Sequence, residues 1–74
     1  MNIIYSPHAN ESLEERHISR SLINETLSSP DAVSESKKGR KIAQKGFGNK
    51  NLRVIYKDTG KSYIVVTCYF RYKK

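Results

Sequence analysis

The apolar pattern of this chain changes once, near residue 37, and its charge changes sign at the same place. Ahead of that point apolar residues recur at helical spacing, Ala9 with Leu13 and then Leu22 and Ile23 with Leu27. Beyond it they alternate as strands do, most clearly from Ser62 to Phe70, a run rich in β-branched and aromatic residues. A helical block followed by a stranded block predicts an α+β domain, an antiparallel sheet packed on one face by two short helices. The 74 residues make a single domain, 1–74, with a thin core, since a chain of this length buries only about 60% of its unfolded surface.

Asn2-Ile3-Ile4-Tyr5 reads as a brief strand. Ser6 caps a first helix and Pro7 is tolerated in its first turn, where the donor that proline lacks has no partner anyway. Ser19 starts a second helix, and Ser28-Ser29-Pro30-Asp31 ends it, because the residue before proline is pushed out of the α region. The polar segment Val33 to Gly39 reads as a mobile connector. Arg40–Phe47, Leu52–Lys57 and Ser62–Phe70 then form a three-stranded meander, turning at Gly48-Asn49-Lys50-Asn51 and Asp58-Thr59-Gly60-Lys61. Alternation puts Ile64, Val66, Cys68 and Phe70 toward the helices, and Tyr63, Val65, Thr67 and Tyr69 on the other face. Leu52, Val54 and Tyr56 join the core side. Arg53 and Ile55 fall on the mixed face, with Lys41, Ala43 and Lys45 expected beside them.

Charge narrows the partners. Residues 1–36 carry Arg16 and Arg20 against six acids, a net of −4, whereas residues 37–74 carry twelve Lys and Arg against Asp58 alone, a net of +11. Such a split favours a polyanion, for which phosphate neutralisation supplies most of the affinity; an ordinary solubilising basic face is the alternative. The lone Cys68 excludes a disulfide framework, and no metal-ligand spacing, paired carboxylates or Gly-rich phosphate loop appears, so no cofactor is expected. No run approaches a membrane span, and Met1 to Tyr5 lacks the basic and long apolar regions of a signal peptide. A cytoplasmic protein with no membrane partner is expected.

Several residues suit chemistry on RNA. His8, an imidazole at the start of the first helix, is the natural general acid or base, or it closes the strand–helix junction. His17, beside Arg16, reads as a packed or exposed residue. Arg53, flanked by apolar residues inside a strand, must find a partner or face an open cleft, where its fork would bind phosphate. Lys37, Lys38, Arg40 and Lys41 cluster near the next strand as phosphate contacts or as a solvated face. Tyr69, Arg71 and the rest of the tail to Lys74 interleave aromatics with cations, which suits single-stranded RNA. Thr67 is a β-former with a hydroxyl. This inventory supports one chemistry, metal-independent phosphodiester cleavage in which the RNA 2′-hydroxyl attacks its own phosphorus.

Tyr5-Ser6-Pro7-His8-Ala9, Glu15-Arg16-His17-Ile18-Ser19 and Ser29-Pro30-Asp31 resemble the start of a small uncharacterised (DUF-type) family allied to RelE-, ParE- and BrnT-like toxins. Lys38-Gly39-Arg40-Lys41-Ile42-Ala43, Leu52-Arg53-Val54-Ile55-Tyr56 and Ile64-Val65-Val66-Thr67 follow in the same order, so the resemblance covers nearly the whole chain. It implies a β-α-α-β-β-β fold of the barnase–EndoU–colicin–RelE kind. It also implies an endoribonuclease toxin cutting mRNA or tRNA, with an antitoxin as partner that covers the basic face. The family's recurrent polar residues fall on His8, Arg16, Arg40, Arg53, Tyr56 and Thr67. The family often carries Arg-Met midway along the first helix, where this chain has Ser12-Leu13, and Tyr56 sits awkwardly on the core side. The expected machinery is therefore His8, Arg53, Lys41, Arg16 and Thr67 for catalysis, with Lys37, Lys38, Arg40, Lys45, Tyr69 and Arg71 for nucleic-acid binding. The competing expectations are a non-catalytic RNA-, ribosome- or DNA-binding module and a ParE-type toxin acting on a protein.

Overall fold

In the computed structural model, which describes residues 2–72, Ser6 and Ser19 are both extended N-caps. Ser6 Oγ accepts the Ala9 N–H at 3.0 Å and Ser19 Oγ the Leu22 N–H at 3.2 Å, each satisfying one of the donors a helix start leaves unpaired. They open α1 (Pro7–Arg16) and α2 (Arg20–Ser28). His17, at φ 53°, ends α1 in the left-handed region, where its N–H reaches back to the Leu13 and Glu14 carbonyls.

The strands are β1 (Asn2–Tyr5), β2 (Ala32–Glu35), β3 (Lys41–Phe47), β4 (Lys50–Asp58) and β5 (Ser62–Tyr72), in the order β1-β5-β4-β3-β2. β2 to β5 pair antiparallel, but β1 lies parallel to β5, so the sheet is mixed rather than purely antiparallel. β2 is also a strand where a mobile connector was expected. All four of its residues are exposed, so it has no buried alternation by which a sequence could reveal it. The three-residue 3₁₀ turn Lys37–Gly39 joins it to β3. Lys73 and Lys74, part of the expected basic tail, lie outside the described residues.

Register decides which side chains meet. Ala43, Val54 and Cys68 face one another across β3, β4 and β5 with exposures of 1%, 0% and 0%. Lys41 pairs with buried Tyr56 and Lys45 with buried Leu52. Ala43, Lys41 and Lys45 therefore belong to the helix side, correcting the expectation that they lie beside Arg53. A bulge corrects β5 as well. Ile55 pairs with Thr67 but Tyr56 pairs with Val65, leaving Val66 extra. One unpaired residue reverses the alternation that follows, so Val65 and Tyr63, not Val66 and Ile64, turn toward the helices.

The core joins Ala9 and Leu13 of α1, Ile18, and Ile23 and Leu27 of α2 to those inward strand residues. Fully burying Ile23, Leu52 or Val54 contributes about 1.5–3 kcal/mol each. Tyr56 packs against Tyr63 at 4.8 Å between centroids, the rings tilted by 59°, and is buried on the core side.

β1 stops at Tyr5 while β5 runs on to Tyr72, which would leave an open edge. α1 covers it. Ser6 donates its N–H to the Val65 carbonyl and its hydroxyl to the Val66 carbonyl, and Arg16 Nη1 donates to the Cys68 carbonyl at 3.2 Å.

Candidate nucleic-acid interface

Both helices contribute to one core on one side of the sheet, so the opposite face is bare. It divides into two halves. Toward the β3–β4 turn, direct cross-strand pairs set Gln44 against Arg53 against Tyr69, and next to them Asn51 against Arg71. Toward the β4–β5 turn the face is apolar: Ile42 pairs with Ile55, and Ile64 with Ile4, which is 50% exposed. By register the charged residues of this face are Arg53, Lys57 and Arg71, with no carboxylate among them. None of the described Lys or Arg residues forms an ion pair with a carboxylate.

Arg53 is the residue under tension. Its Nε is buried and has no hydrogen-bond partner, while its guanidinium carbon stands 5.8 Å from the Tyr69 ring centroid. An unpaired donor out of water costs about 1–3 kcal/mol, and an anion taken by the guanidinium fork would offset that cost. The ring beside it offers a stacking surface, so cation and platform occupy one row.

Thr67 lies one step along β5, and its hydroxyl meets the buried Ser12 hydroxyl at 3.1 Å. His8 stands one helical turn before Ser12, on the same stripe of α1. His8 is exposed and has no hydrogen-bond partner among the described residues. The strand–helix junction is closed by Ser6 instead. His17 is exposed at the end of α1.

The remaining candidates disperse. Lys41 is half-buried on the helix side, and Lys45 Nζ donates to the Ser29 carbonyl at the end of α2, a favourable site for a cation. Arg16 is committed to the Cys68 carbonyl. Lys37, Lys38 and Arg40 sit exposed in the β2–β3 turn, at the end of the sheet that also carries Lys57 and the β4–β5 turn. Arg71 is exposed beside Asn51. The structure thus groups Arg53, Tyr69, Thr67 and Arg71 on one face, and leaves His8 exposed on α1. It separates Lys41, Lys45 and Arg16 from them.

Two concavities lie off this face. A cleft of about 470 Å³ between the helices is lined by Asn10, Leu13, Glu14, Ile18 and Arg20, and one of about 240 Å³ by Ile3, Leu27, Ser28 and Tyr63. The bare face is an open platform, the form a polymer needs rather than a small molecule. Burial raises the pKa of the Tyr5 and Tyr56 phenols and the Cys68 thiol, Arg20 and Arg16 partly opposing this at Tyr5 and Cys68. All three remain neutral near pH 7 and serve the core.

A family profile described as a domain of unknown function, DUF4258, matches residues 5–70. The chain belongs to that family. The match runs from the end of β1 to within β5, so it spans the core and the bare face together. No curated protein and no solved structure matches. No helix among the described residues is long and apolar enough to cross a membrane.

Within the DUF4258 span, Ser12 and Leu13 stand where the resemblance led one to expect Arg-Met. Both are built into the fold, Ser12 through Thr67 and Leu13 through the core. Gln44 and the isoleucine half of the face were not singled out from sequence. Their signal was the β3 alternation, legible only once Ala43 is known to point inward.

Proposed function

We propose that the bare face binds RNA and cleaves it as a metal-independent endoribonuclease toxin of a toxin–antitoxin pair. The observation that supports this most is Arg53, a guanidinium with an unsatisfied buried Nε set against Tyr69 on an uncovered cationic face. In this reading the scissile phosphate sits on Arg53. His8, from α1, takes the proton of the 2′-hydroxyl, which attacks phosphorus. The 5′-oxygen leaves with a proton from the Tyr69 hydroxyl or from water, giving a 2′,3′-cyclic phosphate and a 5′-hydroxyl end. Lys57 and Arg71 hold flanking phosphates, and the Lys37–Arg40 turn extends the track beyond the sheet. Thr67, supported by Ser12, shapes the floor. Lys41 and Arg16 take no direct part, one facing the helices and the other holding the edge of β5.

The isoleucine half suits a protein better than RNA, because exposed apolar patches rimmed by charge mark protein-binding sites. It is the part of the face that an antitoxin would cover.

A second reading, a non-catalytic RNA-binding module, is favoured by the absence, among the described residues, of a hydrogen-bond partner that orients His8. Induced expression in a bacterial host separates the two. Growth arrest with fragmented RNA, lost in His8→Ala and Arg53→Ala at equal protein level, supports the nuclease. Arrest with intact RNA points to a toxin acting on a protein, and no arrest with retained RNA binding leaves the binding module.

A further inference from the structure

Gln44 has no role in the fold that its side chain explains. It lies on β3 directly opposite Arg53, points away from the core because its neighbour Ala43 points into it, and is half-buried. Its backbone carbonyl accepts the Asp31 N–H at 2.8 Å, but its side-chain amide makes no hydrogen bond among the described residues. Across two strand spacings, about 10 Å, the row Gln44–Arg53–Tyr69 offers an amide, a cation and an aromatic ring side by side. That order matches two neighbouring nucleotides about one phosphate. The phosphate lies over the guanidinium, one base stacks on the ring, and the other base meets the amide edge-on.

We infer that Gln44 is a specificity-determining residue that selects adenine at one of the two nucleotides flanking the phosphate on Arg53. The inference rests on RNA being the ligand of this face. A primary amide presents a donor beside an acceptor, and it pairs bidentately with a base edge that presents the complement. Adenine does so on both edges, its amino group lying between two ring-nitrogen acceptors. Cytosine and uracil offer such a pair on their Watson–Crick edge alone, and the Hoogsteen edge of guanine shows two acceptors, which an amide cannot match. In single-stranded RNA either edge can turn toward the protein, so adenine alone pairs in both orientations.

The test is anisotropy titration of the full chain with four labelled octaribonucleotides that differ only at the central base, each with a 2′-deoxy centre so that no cleavage occurs there, and with the variable base moved one position in a second set. Wild type should bind the adenine member of one set about twofold more tightly than the others, the advantage of a second pairing edge. Gln44→Ala should equalise the four at nearly unchanged mean affinity, and Gln44→Glu should favour guanine, whose Watson–Crick edge presents two adjacent N–H donors to the two carboxylate oxygens. Circular dichroism establishes that both variants fold. Equal binding of all four bases by wild type, or an adenine preference that survives in Gln44→Ala, overturns base reading and leaves RNA binding standing. Absence of salt-sensitive binding to every oligonucleotide overturns the RNA reading itself, and this inference with it.

Discussion

Val54 and Cys68 face one another on the helix side of the sheet, both fully buried, while one residue earlier on β4 and one later on β5 Arg53 and Tyr69 face one another on the bare side. The same two strands thus present a dry apolar pair and a cation–aromatic pair whose guanidinium Nε goes unsatisfied. On the covered side three polar side chains near the core are hydrogen-bonded. Ser12 meets Thr67, Thr26 Oγ1 donates to the Leu22 carbonyl at 2.8 Å, and Lys45 caps α2. The bare side leaves Arg53 Nε and the Gln44 amide unpaired. The difference teaches that apolar packing and unpaired polar groups are divided by face, because a sheet residue can serve one side only.

Substitutions can break that division. The largest expected effect is on the covered side: Leu52→Ala should cost about 2–5 kcal/mol, measured by urea denaturation, enough to leave a domain this small partly unfolded. On the bare side Arg53→Ala should lower RNA cleavage roughly a hundredfold or more while leaving the denaturation midpoint unchanged or slightly raised, since it deletes an unsatisfied donor. A midpoint that falls as far as that of Leu52→Ala would show that Arg53 is structural and sink the comparison. At the boundary between the faces, Ser12→Ala should cost about 0.5–1.5 kcal/mol by leaving Thr67 without its partner, and the double variant with Thr67→Val should recover part of the loss.

The smallest effect concerns pH. Folding raises the pKa of Cys68 above 9.0 and those of Tyr5 and Tyr56 above 10.0, through burial. A group with a raised folded pKa contributes stability that is present below its unfolded pKa and lost as pH rises through the folded one. Denaturation midpoints should therefore hold steady through neutrality and decline from about pH 9 upward. Tyr56→Phe should blunt the decline.

Much of the site was visible in the residues and some of it was not. Arg53 stood out because an arginine between apolar neighbours in a strand has to be explained, and Tyr56 was placed on the core side by simple alternation. Lys41 and Lys45 were set on the wrong face because β3 has only Ala43 as a buried anchor, too small to declare a direction. Val65 and Val66 were exchanged because the bulge in β5 leaves no mark in a run where neighbouring residues are all apolar.

By itself the sequence determined where the helices begin, through Ser6 and Ser19, where the turns fall, through Gly48 and Gly60 at positive φ, and that positive charge gathers in the stranded half. These are local matters of capping, backbone conformation and composition. Only the tertiary structure decided that β1 joins β5 in parallel, that α1 and its cap bond the β5 edge from Val65 to Cys68, that β2 exists, and that Gln44, Arg53 and Tyr69 form one row. Those outcomes depend on register between strands distant in the chain, and register is set by the fit of whole faces against the core.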